Sequence, residues 1–195
     1  MSADRRGPTP KIGGAATGRP GRPVGSVGVV AKRSFPPVVD HRARVLVLGT
    51  LPGEESLRLQ QYYAHPRNLF WPILFALFDS APVADYQAKL AFALAQQLAL
   101  WDVCMVGERE ASADSTIRRE TPNAIDRLLD AHPSIGAVAF NGTGARRLYD
   151  RHFRRRPHLI YLAMPSTSPA HARLDFAAKL AKWRGLREIL DGAGT

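Results

Sequence analysis

At 195 residues, 45% apolar and 23% charged, the chain has the composition of a soluble globular protein with one substantial core and too little length for two. A formal net charge of +10 favours nucleic acid, an anionic membrane or another polyanion as partner, without choosing among them. The single cysteine, Cys104, excludes an internal disulfide and a cysteine-held zinc or iron–sulfur site and fits a reducing cytoplasm. No apolar run approaches transmembrane length, and the basic N-terminus lacks the apolar block of a secretory signal.

Residues 1–40 carry Arg5, Arg6, Lys11, Arg19, Arg22, Lys32 and Arg33 against Asp4 and Asp40, a net +5 that is half of the whole charge. This Gly- and Pro-rich segment shows no periodic apolar pattern before Val27. It therefore reads as a disordered basic tail, either a weak electrostatic hold on DNA or a dispensable extension. On that reading its deletion leaves any chemical step intact, and a folded domain covers 41–195.

The domain opens with a buried strand at 45–48. Helical spacing of Ile73, Leu74, Leu77 and Phe78 predicts a helix over 68–78, and Leu90, Leu94 and Leu98 predict another over 85–98. An apolar run at 100–105 reads as a second strand. Thr121 as N-cap and Pro122 in the first turn predict a helix from 121 to about 131. Strands at 135–140 and 159–163 and helices at 142–152 and 175–190 complete the chain. Alternation of strands and helices predicts an α/β fold, a three-layer sandwich with a central four-stranded parallel sheet flanked by helices. In such folds the site lies at the carboxyl ends of the strands, where the unusual polar segments GTLPGEESL, VGEREASADS, NGTG and MPSTSPAHA fall.

GTLPG (Gly49, Thr50, Leu51, Pro52, Gly53) lacks both the Lys-Ser/Thr end of a P-loop and the third glycine of a dinucleotide fingerprint, so a Rossmann-like nucleotide enzyme is disfavoured. Its glycines allow close backbone approach to a ligand, although a tight turn alone explains them. In QYYAHPRNLFW, Tyr62 and Tyr63 offer aromatic faces to a base, and His65 and Asn68 flank a kinked loop. Asn68 also reads adequately as a helix N-cap. No Ser/His/Asp arrangement and no histidine pair at metal spacing occurs, and neither a metal nor a redox cofactor is expected. The arginine run at 146–156 reads as a solvated basic face.

The ordered set GTLPG, SL, QYYAHPRNLFW, LWDV, EREAS with Asp114, FNG and PSTSPA resembles the uracil-DNA glycosylase superfamily, most closely its hypoxanthine-DNA glycosylase branch. The resemblance spans residues 44–183. It implies a monofunctional enzyme that flips deaminated bases (hypoxanthine, then uracil or xanthine) out of DNA and hydrolyses the glycosidic bond, leaving an abasic site. It also implies a monomer acting without cofactor on DNA in the cytoplasm. The family's first motif often supplies an acid or amide where this chain has Thr50 and Leu51, neither of which is a base. The branch places catalysis on the asparagine matched by Asn68. Tyr63 matches the aromatic that stacks on the base, and Asn141 a second functional asparagine. The Gly49–Gly53 turn and His65 complete the base pocket. The resemblance assigns DNA contacts to Ser56 and to the loop Pro165, Ser166, Thr167, Ser168 and Pro169, and a supporting role to Asp102, Arg109, Ser112 and Asp114. The departure in the first motif leaves a second possibility, a damaged-DNA-binding module without catalysis.

Overall fold

The computed structural model describes residue 1 and residues 31–108 and 117–192. The expectations on residues 2–30, Arg109, Ser112 and Asp114 therefore lie outside the described residues. The central sheet is four-stranded and parallel, in the order β3 (Leu98–Asp102), β2 (Val45–Gly49), β6 (Ala137–Asn141), β7 (Ile160–Met164). All residues of β2, β3 and β6 are buried, as expected for strands covered on both faces. Alternate side chains feed two cores. Leu46, Leu48, Val138 and Phe140 face one way, toward α4 (Ile125–Ala131) and α5 (Thr143–His152). Val45, Val47, Ala137 and Ala139 face the other, toward α2 (Phe70–Leu77), α3 (Tyr86–Ala95) and α6 (Phe176–Gly192). From β2 the chain first builds β3 on one side and then returns to β6 on the other. The crevice between these departures is where open α/β sheets bind ligands.

Four expectations are corrected. The apolar run at 100–105 is not one strand. β3 ends at Asp102, and after Val103 the chain enters β4 (Cys104–Glu108) of a second, antiparallel sheet, ordered β1 (Ala31–Arg33), β4, β5 (Arg118–Pro122). The bend is held by Val103 N–H on the Gly49 carbonyl (2.9 Å) and Cys104 N–H on the Thr50 carbonyl (3.1 Å). Thr121 is not an N-cap. Thr121 and Pro122 belong to β5 (Arg118–Pro122), paired with Val106 and Cys104, and α4 starts only at Ile125. The helix expected over 85–98 ends at Ala95, and Leu98 opens β3 instead, while a short helix, α1 (Glu54–Leu59), follows the GTLPG turn directly.

The fourth correction moves the domain's start from residue 41 back to at least Ala31. β1 (Ala31–Arg33) pairs with β4, Val38 bridges to Leu100, and the Phe35 carbonyl accepts hydrogen bonds from the Tyr62 hydroxyl (3.2 Å) and the Trp101 indole (3.0 Å). Residues 31–40 are thus an arm built into the fold, not part of a separable tail. No helix among the described residues is long and apolar enough to cross a membrane.

Candidate active site

A cavity of about 380 Å³ opens at the carboxyl ends of β2, β3 and β6, within the size range of small-ligand sites (~300–1,000 Å³). Its walls are the Gly49–Gly53 turn and the start of α1, the segment carrying Tyr62, Tyr63, His65 and Asn68, the strand-terminal Asp102 and Asn141, and the loop Ser166–Pro169.

Gly49 stands opposite Asp102 in the β2–β3 pairing. A Cβ on Gly49 would collide with the Asp102 carboxylate and lie 3.3 Å from the Tyr63 hydroxyl. The bare glycine thus makes room for an acidic side chain, where the sequence suggested room for a ligand. Asp102 is 4% exposed, and its Oδ2 accepts a hydrogen bond from Ser34 Oγ of the arm (3.0 Å). Thr50 and Leu51 are buried beside it. Leu51 packs so closely on Gly107 that a Cβ there would come within 2.8 Å of Leu51 Cδ1.

The two tyrosines part company. Tyr62 is core: 3% exposed, edge-on to Phe35, with its hydroxyl donating to the Phe35 and Pro36 carbonyls. Burial pushes its phenol pKa far up, reinforced by the Asp102 charge, so it stays protonated. Tyr63 is half-buried, has left-handed backbone (φ 57°) and stacks on the buried Phe70 at 3.8 Å between ring centroids. That positive φ is uncommon in a bulky residue, and Tyr63 forms part of the cavity wall. Ser56 is buried, and its Oγ accepts from Ala64 N–H (3.2 Å), which steadies the residue after Tyr63.

His65-Pro66-Arg67-Asn68 forms a turn closed by Asn68 N–H on the His65 carbonyl (2.8 Å), with Pro66 at the second position that favours it. His65 Nδ1 accepts from Arg67 N–H (3.0 Å), so a neutral His65 carries its proton on Nε2. Asn68 Oδ1 accepts from Phe70 N–H (3.0 Å) although the residue stands one place before the N-cap Leu69. Because a backbone N–H requires an acceptor, this bond identifies Oδ1 as the end of the amide that meets Phe70 and fixes the amide's orientation.

Asn141, 6% exposed at the end of β6, bonds Thr167 twice. Its Nδ2 donates to Thr167 Oγ1 (2.9 Å), and its Oδ1 accepts from Thr167 N–H (2.9 Å). The Thr167 carbonyl in turn accepts from Leu69 N–H (3.0 Å), next to Asn68. One buried threonine therefore ties β6, the Pro165–Pro169 loop and the Asn68 turn together. Gly142 is needed there on two counts. Its φ is 100°, and a Cβ would lie 2.9 Å from Ser166 Cβ. From the far side, α6 holds the loop at both ends: Trp183 Nε1 donates to the Pro165 carbonyl (3.1 Å) and Lys179 Nζ to the His171 carbonyl (2.9 Å).

Sequence reasoning missed Ser34, Lys179 and Trp183 as parts of this scaffold. Lys179 left a signal, since it interrupts the stripe it shares with Trp183 and Leu186 at helical spacing. It is buried, which lowers its pKa. Ser34 left none. The arginine run is not a uniformly free basic face either. Arg151 pairs with Glu120, Arg155 with Asp150, and Arg156 with Asp126 and Asp130.

A parallel sheet between helical layers, with an aromatic- and amide-walled cavity at its carboxyl edge, defines an α/β protein with a candidate small-ligand site at the ends of its strands. A family model described as the uracil DNA glycosylase superfamily matches residues 36–187, and the chain belongs to that superfamily, making it a DNA glycosylase by class. Two relatives share 39% identity. One, a hypoxanthine DNA glycosylase of Methanosarcina barkeri (strain Fusaro / DSM 804), aligns over 112 residues, 57% of this chain and 71% of that protein. The other, a hypoxanthine DNA glycosylase of Methanosarcina acetivorans, aligns over 115 residues, 58% of this chain and 73% of that protein. The solution NMR structure of a candidate uracil DNA glycosylase from Methanosarcina acetivorans superposes with a TM-score of 0.70 at 31% identity, covering 83% of this chain and 99% of that one. The parallel sheet between helices agrees with the fold expected from the sequence.

Proposed function

We propose that the protein is a monofunctional glycosylase that excises deaminated bases from DNA, hypoxanthine first and uracil or xanthine second, leaving an abasic site. The observation that carries this reading is the convergence of Asn68 and Tyr63 on one strand-end cavity. The names of the two relatives support hypoxanthine as a substrate.

The base leaves the duplex at a cost of a few kcal/mol, least for a mispaired deaminated base. Phe70 covers one face of Tyr63, so a flipped base meets the other and extends the stack, returning roughly 1–3 kcal/mol. Bond cleavage builds positive charge on the sugar and negative charge on the departing base. Asn68, with Oδ1 held by Phe70 N–H, presents Nδ2 as a fixed donor to that base or to the attacking water. Such fixed donors act by orientation and preorganised electrostatics. Asn141 works mainly by clamping Thr167, which sets the loop whose Ser166 and Ser168 hydroxyls contact phosphate. The protein acts as a monomer, on cytoplasmic DNA.

The test is incubation with labelled duplexes carrying one deoxyinosine, deoxyuridine or deoxyxanthosine, followed by alkali. Breaks at deoxyinosine first, and only after alkali, are the expected result. No break at any of the three rejects the reading.

A further inference from the structure

Asn68 leaves the reaction without a proton acceptor: an amide cannot take a proton from water at neutral pH, and neither Thr50 nor Leu51 is a base. The cavity nevertheless holds a buried carboxylate. Glu54 and Glu55 also line it, but Glu54 is exposed and paired with Lys32 (3.4 Å), and Glu55 is engaged by Arg58. Tyr62 donates its proton to two carbonyls. Among the described carboxyl groups that line the cavity, Asp102 is the buried one, 4% exposed at the end of β3.

A purely structural acceptor for Ser34 Oγ could be an asparagine, which avoids the several kcal/mol that burying a carboxylate costs. The chain instead keeps a carboxyl group there and leaves Gly49 bare to accommodate it. A buried carboxyl group set in the wall of a cavity is an indicator of function.

We propose that Asp102 is the proton acceptor of the hydrolysis and that Ser34, reaching in from the arm, is its positioning residue; this rests on the glycosylase reading above. The water oxygen bonds to the sugar C1′ and the bond from C1′ to the base nitrogen breaks, its electron pair leaving with the base. The water proton passes to the Asp102 carboxylate and from there to the departing base or solvent. One water is consumed, and a sugar hydroxyl and the free base result, the base nitrogen taking one proton from Asp102 or, where Asp102 has released it to solvent, from solvent. The same carboxylate faces the positive charge that develops on the sugar.

The test is single-turnover excision against pH on the lesion that the wild-type protein cuts fastest, with DNA binding measured in parallel. Asp102→Asn is expected to slow excision at least 100-fold, to keep binding, and to lose the acid limb of the profile. Among the described residues, the other titratable groups lining the cavity are Tyr62, Tyr63, His65, Glu54 and Glu55, and Lys32 pairs with Glu54. A limb set by any of them would persist in the variant. Excision within threefold of wild type with an unchanged limb overturns the proposal. Should Asp102→Asn fail to fold by circular dichroism, Ser34→Ala decides. Loss of the hydroxyl donor destabilises the carboxylate form, so the limb must move to higher pH, and an unmoved limb overturns the assignment. A wild-type protein inactive on every lesion rejects the glycosylase reading itself, so the two failures are distinguishable.

Discussion

Asn68 commits one end of its amide to Phe70 N–H, and that bond fixes what the other end can do. Asn68→Ala removes both. Single-turnover excision is expected to fall about 10²–10³-fold, the loss typical of a preorganised donor. Stability falls by roughly 0.5–2 kcal/mol, as for a lost cap. DNA binding, measured by anisotropy on a lesion duplex, should remain within a few-fold of wild type. Gly49→Ala acts differently, because its Cβ drives into the Asp102 carboxylate. It is expected to destabilise by about 1–3 kcal/mol, the usual cost of overpacking. It should also lose excision beyond what any unfolded fraction explains. Chemical denaturation and activity of the folded fraction, measured on one preparation, test this.

The second sheet is decided between elements. Thr121-Pro122 has the local chemistry of a helix start, yet pairing with β4 carries it into β5, where Glu120 is covered and meets Arg151 and His152 of α5. Burial pushes the Glu120 carboxyl up, but its hydrogen bonds from the backbone and from Arg151, together with the arginine charge, outweigh this and hold it below the usual value of 4.5. A folded-state pKa below the unfolded one stabilises the fold above pH 4.5, and the benefit fades as pH falls through the folded value. Glu120→Gln should therefore cost about 1–2 kcal/mol at pH 7, given that Arg151 is largely exposed. The difference from wild type should shrink on acidification below pH 4.5. Urea midpoints at pH 7 and pH 3.5 measure both, and a difference that does not shrink removes the ion pair as the cause.

The whole molecule depends on where its N-terminal arm begins. Residues 1–30 hold five basic residues and one acidic residue, and the first described strand starts at Ala31. Removing them should weaken DNA binding mainly at low salt and flatten its salt dependence, leaving single-turnover excision nearly intact. Removing residues 1–40 takes β1, the Ser34 hydroxyl and the Phe35 carbonyl that satisfies Tyr62 and Trp101. Each buried donor left without a partner costs about 1–3 kcal/mol, so this truncation should lower the melting temperature and abolish excision. Equal behaviour of the two truncations would show that the arm is dispensable. Parallel melts and single-turnover assays separate the outcomes.

The sequence by itself determined the class of fold, because alternating apolar runs and helical stripes leave a parallel sheet between helices as the economical way to bury them. It also marked the GTLPG, HPRN, FNG and PSTSP segments, since strand ends bearing glycine, proline, amides and hydroxyls are locally conspicuous. Only the tertiary structure decided what those residues do for one another. Apolarity alone cannot show that the 100–105 run changes sheets at Val103, and propensity at Thr121 cannot anticipate a β4 partner. Nothing local in Ser34 or Gly49 announces that both are shaped around Asp102. These are contacts between residues far apart in the chain, with energies that exist only once both partners are in place.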